Sequence, residues 1–253
     1  MKRYLWIAVL AAVTLSACKG EKKITQYSEL YQQTPMTIYV APLNDMAMRR
    51  AVRERVDSAY NASLGIAAKQ LYLTAASTLT YRGYNVPGPL ASAQLAATET
   101  RSGRQLRNEN INDLHTDLGI DAVLFIDILS WKQTSCSWTL EAEYMLRSTH
   151  TNSELLHTHV TATKILPTDN KGNPMPFKDE LEFQRSLDLD VATAQRCRLA
   201  EILNQYVLKD LPAGNRARQR GGERYDMSHP EYFTLRINRD GTVEMMQSTT
   251  DEL

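Results

Sequence analysis

The thiol of Cys18, three residues after Leu15 and directly after the small pair Ser16-Ala17, is the side chain best placed for a covalent reaction. A thiol can take up a diacylglycerol as a thioether. Small residues before it would let a signal peptidase reach the Ala17–Cys18 bond, leaving an acylated Cys18 as the first residue of the mature chain. The other two thiols, Cys136 and Cys197, could form one disulfide in an oxidising compartment; two separately buried thiols are the alternative. A metal would find His157-Thr158-His159, because residues i and i+2 of a strand face the same side, with His150 across the next turn as a third ligand. Two ligands do not make a site, and a solvent-facing pair on an antiparallel strand is the simpler reading. No metal and no cofactor are expected. Asp121 with Asp127 and Asp188 with Asp190 have a spacing that acid–base work could use, but Asp121 fits the entrance to a strand. Asp188 and Asp190 fit the start of a helix, where carboxylates meet the dipole favourably. His115 and His229 read as surface residues. The chain carries no Gly-x-Ser-x-Gly, His-Glu-x-x-His, Walker or Gly-x-Gly-x-x-Gly pattern, so a non-enzymatic protein is expected.

What precedes Cys18 decides how its thiol is used. Lys2 and Arg3 lead into an apolar run from Tyr4 to Leu15, too short to cross a bilayer and of the length of a signal-peptide core. With Leu15-Ser16-Ala17-Cys18 after it, the whole follows the bacterial lipobox pattern. One acyl chain binds membranes only marginally, whereas the two or three on a processed Cys18, palmitate among them, would make a stable anchor without a transmembrane helix. Lys19 stands where an inner-membrane retention signal would place Asp, which favours the periplasmic face of an outer membrane. Loss of residues 1–17 removes two of 29 basic residues and none of 29 acidic ones, so the mature chain carries a balance of −2. Such near-neutrality gives no electrostatic reason to expect nucleic acid. About 235 residues, in a chain with 43% hydrophobic residues, can bury one substantial core.

The elements follow from periodicity. Residues 18–33, with Lys19, Glu21, Lys22 and Lys23, read as a lipidated tether. Met36 to Pro42 is β-branched and aromatic, a first strand. Residues 44–62 hold Arg49, Arg50, Arg53 and Arg55, and Met48, Val52 and Val56 at intervals of four allow a short amphipathic helix. Leu64, Ala68, Leu71, Ala75 and Leu79 stripe a second helix ending before Gly83. Tyr84 to Val86 is a short strand, 90–97 a helix, and Asn110 to Leu118 another helix, ending at Gly119. Ala122 to Ile126 is apolar at every position, as in a strand buried on both faces. Strands at 136–147 and 154–165 make an antiparallel hairpin, 167–176 a loop, and Leu189 to Leu208 a long helix. Residues 215–231 are Arg- and Gly-rich and read as a solvated linker, although Arg216, Arg218 and Arg220 could draw anionic headgroups or acidic glycan. Residues 232–253 form a small hairpin extension around Asp240-Gly241, which must dock on the body or on a partner.

Three stretches give this order a likeness. Thr78-Leu-Thr-Tyr-Arg-Gly-Tyr-Asn-Val86 is similar to a helix-then-RGYYV stretch. Leu118-Gly-Ile-Asp-Ala-Val-Leu-Phe-Ile126, with Trp131, is similar to a GADAVLYI…W strand. Leu208-Lys-Asp-Leu-Pro-Ala-Gly214 is like a motif that closes a last helix. Together they resemble a family of bacterial lipoproteins of unknown function, known from a genome-derived neisserial antigen. The likeness covers 34–214; the Arg-rich insertion near 44–62 and all of 215–253 depart from it. It implies an α/β domain, a mixed β-sheet with flanking helices like the N-terminal domain of TolB, to which the residues add the small C-terminal hairpin. Its genes often sit beside a curli-secretion-like lipoprotein. The expectation is therefore a non-catalytic, lipid-anchored interaction or assembly module in a periplasmic or outer-membrane complex, with an envelope protein as partner and no small-molecule substrate. A peptidoglycan-associated module regulating a cell-wall enzyme is the alternative.

Overall fold

The computed structural model describes residues 28–54, 58–88, 103–134, 137–165, 189–208, 211–212, 214, 232–238 and 242–247. Cys18, Cys136, Asp188, His229, the helix expected at 90–97, the loop at 167–176 and the linker at 215–231 lie outside these residues.

Alternation of side chains organises the sheet. In β3 (Ala122–Gln133), Ala122, Leu124, Ile126 and Ile128 face one side and Val123 and Phe125 the other. All six are buried, as a strand covered on both faces requires. Two short strands, β1 (Ile38–Val40) and β2 (Asn44–Asp45), run parallel along one flank of β3, meeting it at Ala122–Leu124 and at Asp127–Ile128. On the other flank lies the antiparallel hairpin of β4 (Ser137–Ser148) and β5 (Glu154–Ile165). Then β6 (Tyr232–Ile237) pairs parallel with β5, and β7 (Val243–Gln247) pairs antiparallel with β6. The order is β1-β3-β4-β5-β6-β7, a mixed sheet of the α/β class.

Helices cover the two faces unequally. On one face α3 (Ser58–Tyr81) and α6 (Leu189–Leu208) press Leu71, Ala75, Leu79, Leu199, Leu203 and Val207 onto the sheet. A buried polar tie fixes their register: Tyr144 Oη donates to Asn204 Oδ1 (2.8 Å), and Asn204 Nδ2 donates to Leu71 O (2.7 Å). On the opposite face two short helices, α4 (Gly103–Asn108) and α5 (Asn112–Leu118), lay Leu106, Ile111 and Leu114 over Tyr39, Val123, Phe125 and Met145. Gly119 ends α5 at φ 65°, a left-handed cap that glycine adopts without steric cost. Only the β1–β3–β4 end of this second face is covered among the described residues.

Two of the three family-like stretches hold each other. Gly214 N donates to Arg82 O (2.9 Å), and Tyr84 Oη donates to Pro212 O (2.5 Å). A Cβ at Gly214 would stand 2.4 Å from the Gly83 backbone, so only glycine permits the approach.

Four sequence expectations change here. Residues 28–33 are a helix, α1 (Ser28–Gln33), rather than tether, because Leu30 is 0% exposed in the main core. The Arg-rich helix, α2 (Met46–Arg53), turns Ala47, Met48 and Ala51 inward and leaves Val52 outside, since the two alanines fit closer to β3 than valine would. The strand expected at 84–86 is a single bridge from Asn85 to Thr37. Finally, β6 and β7 are continuous with the sheet, with Phe233, Leu235 and Ile237 in its core.

Candidate functional site

The sheet half that α4 and α5 leave uncovered carries charge in a fixed pattern. Asp127 continues the Val123–Phe125 side of β3, and Glu143 lies opposite it on β4. The backbone pairs Met145 with His157 and Glu143 with His159, so both imidazoles come up on this face, as their i, i+2 spacing predicts. Each reaches diagonally. His157 Nε2 lies 2.5 Å from Glu143 Oε1 and its Nδ1 3.3 Å from Glu154 Oε2, while His159 Nε2 lies 3.1 Å from Glu141 Oε1. Glu141 Oε2 also accepts from Ser130 Oγ (2.8 Å).

Arg107, from α4, joins this array to the second core. One arm of its guanidinium pairs with Asp127, which is 5% exposed, and the other donates to Glu143 Oε1 at 2.6 Å. Arg147 fixes α4 in turn, donating to Arg107 O (2.8 Å) and Glu109 O (2.9 Å). Burial alone would raise the Glu143 carboxyl; the hydrogen bonds from Arg107 and His157 and their charges outweigh it and hold the carboxyl below its ordinary value. The carboxylates are thus consumed as acceptors. Among the described residues no group of three or more His, Cys, Asp or Glu is placed to hold a metal ion.

His150 does not join His157 and His159. It sits in the β4–β5 turn, its ring edge-on to His115 with centroids 5.3 Å apart. Both line a cleft of about 390 Å³ that also takes in Met36 and Asp121. Asp121 is not paired with Asp127: its Oδ2 accepts from the backbone of Met36 and Thr37, both at 2.9 Å, and so ties the α1–β1 connection to the start of β3. Asp190 falls in the first turn of α6. Cys197 is half-buried on α6, and burial, with Glu201 nearby, pushes its thiol above the usual range. Its pairing with Cys136 lies outside the described residues. Arg196 beside it was not singled out by sequence. It is buried, donates to Ser63 Oγ (2.6 Å), and stacks over Tyr60 and Trp138 at 4.8 and 5.7 Å.

A second feature is the outer edge of β7. No described strand pairs with it, and Met245 and Met246 are 38% and 44% exposed there. Such an edge offers unpaired backbone groups to another chain. No described helix is long and apolar enough to cross a membrane.

No protein-family model and no curated protein matches this chain. Solved structures do. The lipoprotein GNA1162 from Neisseria meningitidis is similar over 64% of this chain and 99% of its own, at 18% identity and a TM-score of 0.38. The hypothetical protein CT253 from Chlamydia trachomatis is similar over 68% of this chain and 98% of its own, at 15% identity and a TM-score of 0.37. The PelC dodecamer from Paraburkholderia phytofirmans is similar over 66% of this chain and 86% of its own chain, at 10% identity and a TM-score of 0.29. The first of these is a neisserial lipoprotein, the kind of protein that the stretches at 78–86, 118–131 and 208–214 resemble.

Proposed function

We propose that this chain is a lipid-anchored lipoprotein of the bacterial envelope that works as a non-catalytic interaction module, taking a strand of an envelope protein partner onto the outer edge of β7. The observation that carries this reading is that edge: five residues, Val243–Gln247, at the end of the sheet order, with two exposed methionines. Strand addition supplies affinity from main-chain hydrogen bonds and specificity from alternate side chains. Methionine suits such a surface, since its unbranched thioether adapts to different partners. The charged array on β4 and β5 supports the same reading, because its carboxylates are engaged with Arg107, His157, His159 and Ser130 rather than turned toward a reacting group. Anchorage rests on Lys2-Arg3, the apolar run and Leu15-Ser16-Ala17-Cys18, and outer-membrane placement on Lys19.

The test is purification from detergent-solubilised envelopes, comparing wild type with Met246→Lys. Wild type is expected to begin at an acylated Cys18 by mass spectrometry and to bring down an envelope protein. The lysine, a charge that edge strands use to repel pairing, should release that protein without lowering the melting temperature. Retention of the same protein by Met246→Lys would remove β7 as the contact, and an unmodified N-terminus would remove the anchor.

A further inference from the structure

We infer that the outer face of α2 rests on an anionic membrane surface. Inward, α2 packs Ala47 and Ala51 toward β3. Outward, it shows Arg49, Arg50 and Arg53 together with Met46 (41% exposed) and Val52 (56% exposed). At 100° per residue Arg49, Arg53, Met46 and Arg50 follow one another around a single arc, with Val52 on its flank. Arg49 donates to Asn44 Oδ1 and feels the charge of Asp45, and among the described residues no carboxylate lies within 4.0 Å of these three guanidinium groups. Arg49 and Arg53, four apart, repel each other in water. Two cations in the last turn would be explained by the helix dipole. Two exposed apolar side chains sharing the same face would not, and the combination of basic and apolar groups is what an interfacial helix presents to lipid.

A cleft of about 260 Å³ opens beside α2, lined by two cations, Arg50 and Lys132, and one carboxylate, Glu54. Trp131 also lines it, and its buried indole N–H has no hydrogen-bond acceptor among the described residues. Its two cations outnumber its one carboxylate, so the cleft extends the basic face of α2 rather than interrupting it.

The anchor geometry permits this contact. Gln33 Nε2 donates to Thr151 Oγ1 (3.0 Å), which sets α1 at the β4–β5 turn, beside the start of β3. β2, which leads into α2, pairs with Asp127 and Ile128, about 20 Å further along β3 at 3.3 Å per residue. Ten residues separate Cys18 from Ser28 and reach at most about 33–36 Å. A chain held at Cys18 can therefore lie with α2 on the same bilayer. The contact itself needs no acyl chain, so it is testable apart from the proposed anchor.

The experiment is co-sedimentation of the chain without its leader, residues 1–17, and with Cys18→Ser, on phosphatidylglycerol and on phosphatidylcholine vesicles. Binding is expected to phosphatidylglycerol only and to be released by 0.5 M salt, on the order of the ionic strength that collapses the screening length. At roughly a fivefold loss per arginine, R49Q/R50Q/R53Q should bind about a hundredfold more weakly. M46S/V52S should weaken binding severalfold, and thermal melts of both variants should match wild type. Equal binding to both lipids, unchanged binding of the triple variant, or no sedimentation would each overturn the inference. So would retention on heparin that needs the arginines while M46S/V52S leaves vesicle binding untouched, which would indicate a soluble polyanion instead.

Discussion

Arg107→Met is expected to destabilise the fold by about 3–5 kcal/mol at pH 7, the cost of leaving a buried charge without its partner. The charge left behind is Asp127, 5% exposed beneath α4, with Glu143 losing its 2.6 Å donor as well. At about 2–4 °C per kcal/mol for a chain of this size, the melting temperature should fall by roughly 6–20 °C. The loss has a pH signature. In the folded chain Glu143 holds its proton less tightly than in the unfolded chain, so its contribution is complete above its unfolded value near 4.5 and is lost as pH falls through the lower folded value. Without Arg107 the larger of the two lowering influences is gone, and burial is opposed by His157 alone. The gap between variant and wild type should therefore be widest at pH 7 and shrink near pH 4. Thermal melts at the two pH values read this directly, and an equal gap at both would mean that Arg107 acts through packing alone.

Phe233→Ala should cost about 3–5 kcal/mol, the range for emptying a buried aromatic site. Phe233 is on β6 opposite Val160 and belongs to the same core as Tyr144 and Leu203. If β6 and β7 are part of one cooperative unit, far-UV circular dichroism and the fluorescence of Trp138, which is on β4, will report a single transition shifted to lower temperature. A separate early transition that leaves the helices and Trp138 at the wild-type midpoint would make the C-terminal strands an appendage.

The contrast between these two sites shows what a sequence can and cannot reveal. Local patterns were readable. The unbroken apolar run at Ala122–Ile126 marked a strand buried on both faces, and the helix at Leu189–Leu208 has the expected bounds. Of the stripe Leu64, Ala68, Leu71, Ala75 and Leu79, four are buried on α3 and Ala68 is half-buried, with Ala67 buried beside it, and the helix starts earlier, at Ser58. The i, i+2 spacing of His157 and His159 placed both rings on one face. What the pattern lacked was partners. Arg107, Asp127 and Glu143 come from three elements 16 to 36 residues apart, and α4 has only six residues, too few for a periodicity to show. Leu30 was missed because one apolar residue in a polar stretch carries no period, yet its burial is what ties 28–33 to the body. The parallel pairing of β6 with β5 was hidden for a related reason: 66 residues separate Ile165 from Tyr232, and a hairpin's local signal says nothing about which strand it joins.

The edge of β7 that no described strand pairs is where the partner is proposed to bind, and in-cell photo-crosslinking addresses it most directly. A photoreactive residue would replace Met246, with Tyr81, 90% exposed at the end of α3, as the control position. Each would be tested with Cys18 intact and with Cys18→Ser. An adduct to a specific envelope protein is expected from position 246, none from position 81, and loss of the adduct when Cys18 is serine. Adducts to glycan-linked material alone, equal adducts from both positions, or none from either would contradict binding at β7.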